Sequence, residues 1–385
     1  MNWFFHLFCA VFGIFCEENS FTIYWNVPTH QCEKLNVSFI SLLKDLNIVH
    51  NKDGNFSGES FTILYSPGLW PSMEHKNITN GGMPQCGNMT LHLKKLKEDV
   101  EKKLQVNYSG LAVIDMESWR PVFRQNTGWM IKYRELTFKQ FNKTLADEFQ
   151  KNQTNTTLRN YLITESAKIF EPPARYFLMN STDLVRKLRN ETKWGYYGFP
   201  YCFNMGVAAN ARNESCPDIV KEENNRTDWL FKSYDYWFPS VYITKINFTC
   251  EQRGQLVRGR VTEYERLRKE FNPKAKIYPY VWFLYNLSNE YLSKEDLEMS
   301  LKILKMGKMD GAVIWGSSKN LTKECECKDL YDYVNGTMRT VLKRLENPEN
   351  NIEWNGSCLE TSDEAKYLKN CTDKIMKIQE LPERF

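Results

Sequence analysis

The chain has 385 residues, of which 42% are hydrophobic and 25% are charged. These fractions are close to globular averages, so a disordered chain and a coiled coil are both excluded. The net charge of +4, from 51 basic and 47 acidic residues, is too weak for a dedicated nucleic-acid-binding protein. No histidine follows His92, and the sequence contains no HExxH zinc helix. We therefore expect no metal and no cofactor, and we assign any catalysis to carboxylates.

An apolar run over residues 3–16 opens the chain and is followed by Glu17 and Glu18. The run has the length of a signal peptide and is too short to span a bilayer. We predict a signal peptide over residues 1–18, and hence a secreted, extracellular protein that makes no membrane contact. An uncleaved anchor is the alternative.

Asparagine is followed two residues later by serine or threonine unusually often. Of the 34 asparagines, 18 stand in such sequons, several times the number that composition alone would produce. The excess favours a secreted glycoprotein with these positions at its surface. The glycosylation candidates are Asn36, Asn55, Asn77, Asn107, Asn142, Asn190, Asn213, Asn225 and Asn335.

Cysteines are frequent after the predicted leader. An extracellular location favours disulfides, and the odd number of cysteines leaves at least one thiol free or paired with another molecule. Cys202 and Cys216 enclose a short loop and are predicted to pair. The segment 345–385 turns polar and contains Cys358 and Cys371, so we expect a C-terminal extension with a small disulfide loop.

Strand-like apolar runs alternate with stretches of helical period, which is typical of repeated βα units. Helices are predicted over 91–104 and 256–271, and Pro172-Pro173 is predicted to divide a helical stretch into two pieces. We predict an α/β barrel over 19–344, with helices outside and the functional site at the carboxyl ends of the strands. The predicted strands are 21–27, 61–65, 111–116, 194–199, 240–243, 277–283 and 312–315.

The most informative motif ends the third of these strands. Asp115 and Glu117 stand two residues apart, so their side chains share one face and point into the mouth of a barrel. Like charges at this spacing resist simultaneous ionisation, which predicts that one pKa rises toward that of a general acid. The alternative is a solvated strand end in an ion-pair network with Arg120 and Arg124.

Two carboxylates on one strand approach a glycosidic bond from the same side, whereas glycosidases usually place them on both sides. This geometry suits substrate-assisted catalysis, in which the acetamido carbonyl of the substrate attacks the anomeric carbon. Glu117 would protonate the leaving oxygen and Asp115 would orient the acetamido group. The motif therefore predicts a 2-acetamido sugar at the cleaved linkage.

Aromatic residues at or near the predicted strand ends indicate a carbohydrate cleft, since rings stack on sugar faces; for each residue alone, core packing is the alternative. The last strand ends in Trp315-Gly316, and the following serines can be capping residues of a glycine turn. The aromatic residues are Tyr65, Trp194, Tyr196, Tyr197, Tyr201, Tyr242 and Trp315.

The chain resembles the hyaluronidases of glycoside hydrolase family 56 from about residue 21 to residue 342. Several long motifs in the same order carry the resemblance. They are Tyr24-Trp25-Asn26-Val27-Pro28, Ile63-Leu64-Tyr65-Ser66-Pro67-Gly68, Asn80-Gly81-Gly82-Met83-Pro84-Gln85, Ile114-Asp115-Met116-Glu117-Ser118-Trp119-Arg120-Pro121, Trp194-Gly195-Tyr196-Tyr197-Gly198-Phe199-Pro200-Tyr201-Cys202, Pro239-Ser240-Val241-Tyr242 and Ile314-Trp315-Gly316-Ser317-Ser318.

The resemblance implies a distorted TIM-like barrel of about seven strands. It also implies hydrolysis of hyaluronan at β-1,4 linkages with retention, Glu117 being the proton donor and Asp115 the residue that positions the acetamido group. The implied substrate-binding residues are Tyr65, Arg120, Tyr197, Ser240, Tyr242, Arg260, Trp315, Ser317 and Ser318, and the implied disulfides are Cys32–Cys327 and Cys202–Cys216.

Some features depart from the family pattern. Cys86, Cys250, Cys325, Cys358 and Cys371 are additional to the two implied disulfides, so their pairing is open. The tail lacks the cysteine density of the EGF-like module in vertebrate members, which favours the compact invertebrate form found in venom or saliva.

Hyaluronan is thus the expected partner of a monomeric enzyme, and two alternatives stay open. One is a catalytically silent homologue that binds glycosaminoglycan. The other is a hydrolase that prefers chondroitin.

Overall fold

The structure is a computed structural model that describes residues 21–74, 77–139, 157–206, 212–288 and 290–347. The predicted signal peptide, nearly all of the predicted C-terminal extension and the candidate sequon Asn142 lie outside these ranges. Among the described helices, none is long and apolar enough to cross a membrane.

Most of the strands run parallel and follow one another around a barrel. Three parallel sheets have the orders β10-β11-β1-β2, β3-β6-β7 and β8-β9, and β4 with β5 forms an antiparallel hairpin. The strands are β1 (Thr22–Asn26), β2 (Val49–His50), β3 (Phe61–Tyr65), β4 (Ser72–Glu74), β5 (Asn77–Thr79), β6 (Leu111–Asp115), β7 (Lys193–Tyr196), β8 (Tyr236–Trp237), β9 (Lys276–Ile277), β10 (Tyr280–Trp282) and β11 (Gly311–Trp315).

Single bridges connect these sheets. Tyr197 pairs with Phe238, and Ser240 pairs with Tyr280, both in parallel orientation. All five residues of β6 are buried, as expected for a strand with a packed interior on one face and helices on the other. The interior cluster is formed by Phe61, Ile63, Leu111, Val113, Phe238, Tyr280 and Val313.

No backbone pairing between β2 and β3 is found in the described part of the chain. The side chain of Asn51 connects the two strands instead. The buried Asn51 donates to the Phe61 carbonyl at 2.8 Å and accepts from the Phe61 amide at 2.9 Å and the Ser60 amide at 3.0 Å. One amide side chain therefore satisfies the backbone groups that a neighbouring strand would have bonded. The fold is α/β and TIM-barrel-like, as predicted.

The helices lie along the outside of the strands. The predicted helices over 91–104 and 256–271 are confirmed, with earlier starts fixed by the caps Asn88 and Thr249. Residues 131–139 are also helical. The helices with defined bounds are α1 (His30–Glu33), α2 (Ile40–Asp45), α3 (Met89–Lys103), α4 (Leu158–Leu188), α5 (Asp218–Arg226), α6 (Asp228–Ser233), α7 (Cys250–Phe271), α8 (Lys294–Met306), α9 (Glu324–Tyr333) and α10 (Arg339–Glu346), with a π-helical turn Val334–Met338 between the last two.

The prediction that Pro172-Pro173 divides its helix was wrong, because α4 continues through both prolines. Proline at these positions removes the donors for the carbonyls of Lys168 and Ile169. Lys168 and Pro172 are exposed, so water can hydrate the outer face, while Phe170 and Phe177 are buried in the core on the inner face. Packing of that inner face outweighs the lost hydrogen bonds.

One predicted strand was misplaced, and another is divided in two. The strand predicted over 240–243 is absent there except for the Ser240 bridge, and β8 lies four residues earlier. The strand predicted over 277–283 is divided into β9 and β10. Pro239 and Pro279 lie at these two interruptions. Because proline has no amide hydrogen to donate to a neighbouring strand, it interrupts strand pairing at both positions.

Both implied disulfides are present. Cys32–Cys327 joins α1 to α9 across 295 positions of sequence, and Cys202–Cys216 closes a loop after β7. Cys250 and Cys325 are also disulfide-bonded, whereas Cys86 is a free, exposed thiol. The bonding state of three of the five additional cysteines is therefore known. Cys358 and Cys371 lie outside the described residues.

The described glycosylation candidates all lie at the surface. Exposure is a requirement for modification of a folded protein and does not by itself establish occupancy, so glycosylation stays a prediction. The exposed candidates are Asn36, Asn55, Asn77, Asn107, Asn190, Asn213, Asn225 and Asn335.

Candidate active site

The paired carboxylates stand at the carboxyl end of β6. Asp115 is the last residue of the strand, pairs in register with Tyr65 of β3, and is 6% exposed. Its backbone carbonyl accepts from the Ser66 amide at 2.7 Å. Glu117 follows two residues later and is half-buried. The structure thus places both acids at the end of the barrel where TIM-barrel enzymes have their active sites.

Both acids influence Tyr197, as they also influence Tyr201. Tyr197 follows β7, its amide donates to the Ile114 carbonyl at 3.0 Å, and its ring meets that of Tyr280 edge to face at 4.9 Å. Burial first, and then the negative charges of Glu117 and Asp115, raise the pKa of Tyr197 well above its ordinary value. The hydroxyl therefore keeps its proton at neutral pH and can donate a hydrogen bond.

Tyr242 and Ser240 bond to the Tyr197 hydroxyl from the neighbouring segment. Burial, followed by the proximity of Tyr197, also raises the pKa of Tyr242 well above its ordinary value. The Tyr242 amide donates to the Ser240 hydroxyl oxygen at 3.5 Å. These contacts form a neutral, hydrogen-bonded group beside the two acids, and this group remains neutral over a wide pH range.

Arg260 contacts the site by bonding to a backbone carbonyl group. Its Nη1 donates to the Ser240 carbonyl at 2.8 Å, and the Tyr264 hydroxyl donates to the same oxygen at 3.0 Å. Arg260 therefore holds the segment that carries Ser240 and Tyr242. This placement favours a supporting role over direct contact with a substrate carboxylate.

Four aromatic side chains line one side of the mouth, and we call them the aromatic wall: Tyr65, Trp315, Trp282 and Tyr242. Trp315 is central, since its ring lies 6.2 Å from that of Tyr242 and 5.4 Å from that of Trp282, and its indole nitrogen donates to the Tyr65 hydroxyl at 3.3 Å. Tyr65 is 56% exposed. The exposed faces provide a surface on which a sugar ring can stack.

Arg120 is buried and packs under aromatic rings. Its guanidinium lies 4.6 Å from the ring centroid of Tyr201 and 4.9 Å from that of Phe203, and Nη1 donates to the Gln125 carbonyl at 2.7 Å. Phe203 has a φ of +55°, a left-handed conformation that is unfavourable for a bulky side chain. Sequence analysis selected Arg120 and Tyr201 but not Phe203, because no local pattern signals a positive φ at phenylalanine.

The two serines after β11 occupy a turn. The Ser317 hydroxyl oxygen accepts from the Lys319 amide at 3.3 Å and caps the short helical turn Ser318–Asn320. Ser318 is exposed. The structure thus shows the capping interaction that was the alternative for Ser317, and a substrate contact of either serine stays a prediction.

Within the described ranges, no group of three or more histidine, cysteine or acidic side chains is arranged to hold a metal ion. The mouth instead combines two carboxylates, neutral tyrosine hydroxyls and an aromatic wall. Acids can exchange protons with a glycosidic oxygen, hydroxyls can orient polar substituents, and aromatic faces can bind pyranose rings. Fold and site together define a protein of the glycosidase class.

Comparisons with known proteins agree with this class. The family model described as hyaluronidase, glycoside hydrolase family 56, matches residues 13–380. Over 375 residues the chain is 87% identical to the salivary hyaluronidase of Lutzomyia longipalpis, which covers 97% of this chain and 100% of that protein. It is 36% identical to the hyaluronidase of Polistes annularis, with 84% of this chain and 88% of that protein covered. The chain therefore belongs to the hyaluronidase family of glycoside hydrolases.

A solved structure supports the same assignment. The crystal structure of bee venom hyaluronidase in complex with hyaluronic acid tetramer matches with a TM-score of 0.75 and 32% sequence identity. The match covers 84% of this chain and 99% of that chain. At this level of similarity the barrel and its order of strands are shared.

Proposed function

We propose that the chain is a secreted endo-β-N-acetylhexosaminidase that hydrolyses the β-1,4 linkages of hyaluronan with retention. The observation that carries the proposal is that Asp115 ends β6, Glu117 follows two residues later, and both negative charges raise the pKa of the half-buried Tyr197. The bee venom relative is described in complex with a hyaluronic acid tetramer, which supports the choice of substrate.

In the proposed first step, Glu117 gives its proton to the glycosidic oxygen as the bond to the anomeric carbon breaks. The acetamido carbonyl oxygen of the same sugar attacks that carbon from the opposite face, which closes a five-membered oxazolinium ring. Asp115 accepts the hydrogen bond of the acetamido N–H and offsets the positive charge that develops there. Tyr197 and Tyr242 are neutral donors that can orient the acetamido group.

In the proposed second step, Glu117 acts as a base. Water attacks the anomeric carbon, Glu117 takes its proton, and the oxazolinium ring opens to restore the acetamido group. Two inversions at the same carbon give net retention. The substrate thus supplies the nucleophile, so a single carboxyl group, that of Glu117, is sufficient for proton transfer.

The other functional assignments remain proposals. We propose secretion because the chain has an apolar start, disulfides and exposed sequons. We propose a monomer whose catalytic barrel occupies 19–344, between a signal peptide at 1–18 and an extension at 345–385. We propose substrate contacts for Tyr65, Tyr197, Ser240, Tyr242 and Trp315, and for Arg120 and Arg260 a supporting role.

A digest of hyaluronan with product sizing tests the proposal. Glu117→Gln keeps the shape and removes the transferable proton, so it should lower kcat about a hundred- to ten-thousandfold. Glu98→Gln, an exposed position on α3, is the matched control and should behave like the wild type. Full activity of Glu117→Gln would refute its role as the acid.

Two further measurements on the wild type test the finer assignments. The first reducing ends formed should be the β-anomer, as observed by NMR before mutarotation; the α-anomer would refute retention. Parallel digests of chondroitin test the substrate, because faster cleavage of chondroitin than of hyaluronan would refute the proposed preference. Hyaluronan binding without any cleavage would identify a silent homologue.

A further inference from the structure

Trp282 is a member of the aromatic wall that sequence analysis did not select. It ends β10 and pairs in register with Trp315 of β11. Its ring meets that of Trp315 edge to face at 5.4 Å and lies 6.0 Å from that of Tyr242. Because neighbouring residues in register share a face of the sheet, Trp282 stands beside the same part of the mouth as Trp315.

The indole nitrogen of Trp282 is unusual among the tryptophans. It is buried and has no hydrogen-bond partner in the described part of the chain. By contrast, Trp119, Trp194 and Trp237 each donate to a backbone carbonyl. Trp70 also lacks a partner, but its ring is enclosed in the core against Trp119 and His92. A buried donor without a partner is costly and calls for an explanation at each site where it occurs.

The position of Trp282 supplies such an explanation. Trp282 as a whole is partly exposed beside the proposed sugar-binding residues, and its indole N–H, although buried, has no partner among the described residues. A sugar ring offers both features that this side chain can use: an apolar face for stacking and hydroxyl or acetamido oxygens that accept hydrogen bonds.

We propose that Trp282 is a further substrate-binding residue, which contacts the sugar held at Trp315 and donates its indole N–H to an oxygen of that N-acetylhexosamine. This inference rests on the proposed function, because the ligand is the acetamido sugar of hyaluronan. Trp282 takes no part in proton transfer. Its loss therefore affects substrate binding much more than the chemical step.

Binding of hyaluronan hexasaccharide by calorimetry tests the inference, with Glu117→Gln present in every variant to prevent cleavage. Adding Trp282→Phe removes the donor and part of the ring, and should raise Kd roughly three- to tenfold, the effect of one neutral hydrogen bond. Trp282→Tyr offers a hydroxyl donor and should recover part of the affinity. The matched control is Trp229→Phe on α6, where the ring packs against Arg175, and it should change Kd less than twofold.

In the active enzyme, Trp282→Phe should raise KM by the same factor and leave kcat within about twofold, the pattern of a lost uniform binding contact. Binding of Trp282→Phe as tight as that of Trp229→Phe would overturn the role of Trp282 and leave the proposed function intact. If Trp282→Phe does not fold, Trp282→Leu takes its place as a variant without a donor, and unchanged binding by Trp282→Leu would overturn the role equally. Failure of the parent protein to bind the hexasaccharide and of the wild type to cleave hyaluronan would overturn the proposed function itself.

Discussion

The indole nitrogen of Trp315 donates to the hydroxyl of Tyr65 at 3.3 Å, across 250 positions of sequence. Tyr65 ends β3 and Trp315 ends β11, so the bond joins two strand ends that belong to different sheets. The Tyr65 ring is also stacked on Phe56, with ring planes 4° apart. The bond and the stacking hold an exposed ring in a fixed orientation at the mouth.

Tyr65→Phe keeps the ring and removes the acceptor for Trp315. We expect KM for hyaluronan to rise about two- to fivefold, because a neutral hydrogen bond contributes about 0.5–1.5 kcal/mol, while kcat changes little. Steady-state kinetics on size-defined hyaluronan measures both. Tyr176→Phe is a matched control, since Tyr176 is equally exposed at 56% and lies on α4. A fall in kcat without a rise in KM would contradict a binding role.

Asn51 joins β2 to β3, and Asn51→Ala removes all of its side-chain hydrogen bonds at once. The amides of Ser60 and Phe61 lose this acceptor, and the carbonyl of Phe61 keeps only the bond from the Gly58 amide. Buried groups left unpaired cost about 1–3 kcal/mol each, so we expect the free energy of unfolding to fall by about 3 kcal/mol or more. Urea denaturation of unglycosylated protein measures it. Asn107→Ala, at an exposed site, should change it by less than about 0.5 kcal/mol, and an equally small change for Asn51→Ala would contradict the role of the side chain.

His92 makes stability depend on pH. It is fully buried between Trp70 and Phe177, its Nε2 lies 2.7 Å from the Ser181 hydroxyl oxygen, and burial lowers its pKa from 6.5 to about 4. Above pH 6.5 the histidine is neutral in both the folded and unfolded states. Between pH 6.5 and 4 only the unfolded state takes up the proton, so stability falls as pH falls.

The expected loss from His92 over this window is about 3 kcal/mol. Denaturation curves at pH 7, 5.5 and 4 measure it. His92→Gln should lose this contribution to the pH dependence, whereas His50→Gln, which keeps His92, should retain it. The same slope for His92→Gln and the wild type would show that other groups cause the effect.

Patterns within single segments predicted the general architecture. The run Leu111–Asp115 is apolar throughout and ends in an acid, and both its strand and its position at the mouth follow from these features. The strand over 61–65 was also predicted at its observed bounds, from its largely apolar sequence. The short loop between Cys202 and Cys216 already indicated their pairing, whereas Cys32–Cys327 came from the family motifs, because a bridge across 295 positions depends on the three-dimensional path of the chain.

Features that arise between segments were missed. The junction between β2 and β3 depends on the side chain of Asn51, which bonds to backbone groups about ten residues further along the chain. Asparagine in a loop normally indicates only a turn. Trp282 was read as part of an apolar strand, since nothing local distinguishes a tryptophan in the wall from one in the core. The sequence analysis expected prolines to break α4, which they do not, and did not expect Pro239 to interrupt a strand before Ser240. The effect of a proline depends on its surroundings, because carbonyl groups that lose a donor can be hydrated at the surface of a helix, whereas a strand needs its amides to pair with a neighbouring strand.

Cleavage of hyaluronan and of chemically de-N-acetylated hyaluronan, compared at equal concentration with products sized over time, tests the central claim most directly. Asp115 ends β6 and Glu117 follows two residues later, and we propose that the substrate provides the nucleophile through its acetamido carbonyl. We expect hyaluronan to be degraded and the de-N-acetylated polymer to be cleaved at least a hundredfold more slowly, in line with the general scale of nucleophilic and acid–base contributions. Equal rates on the two polymers would contradict substrate-assisted catalysis by this chain.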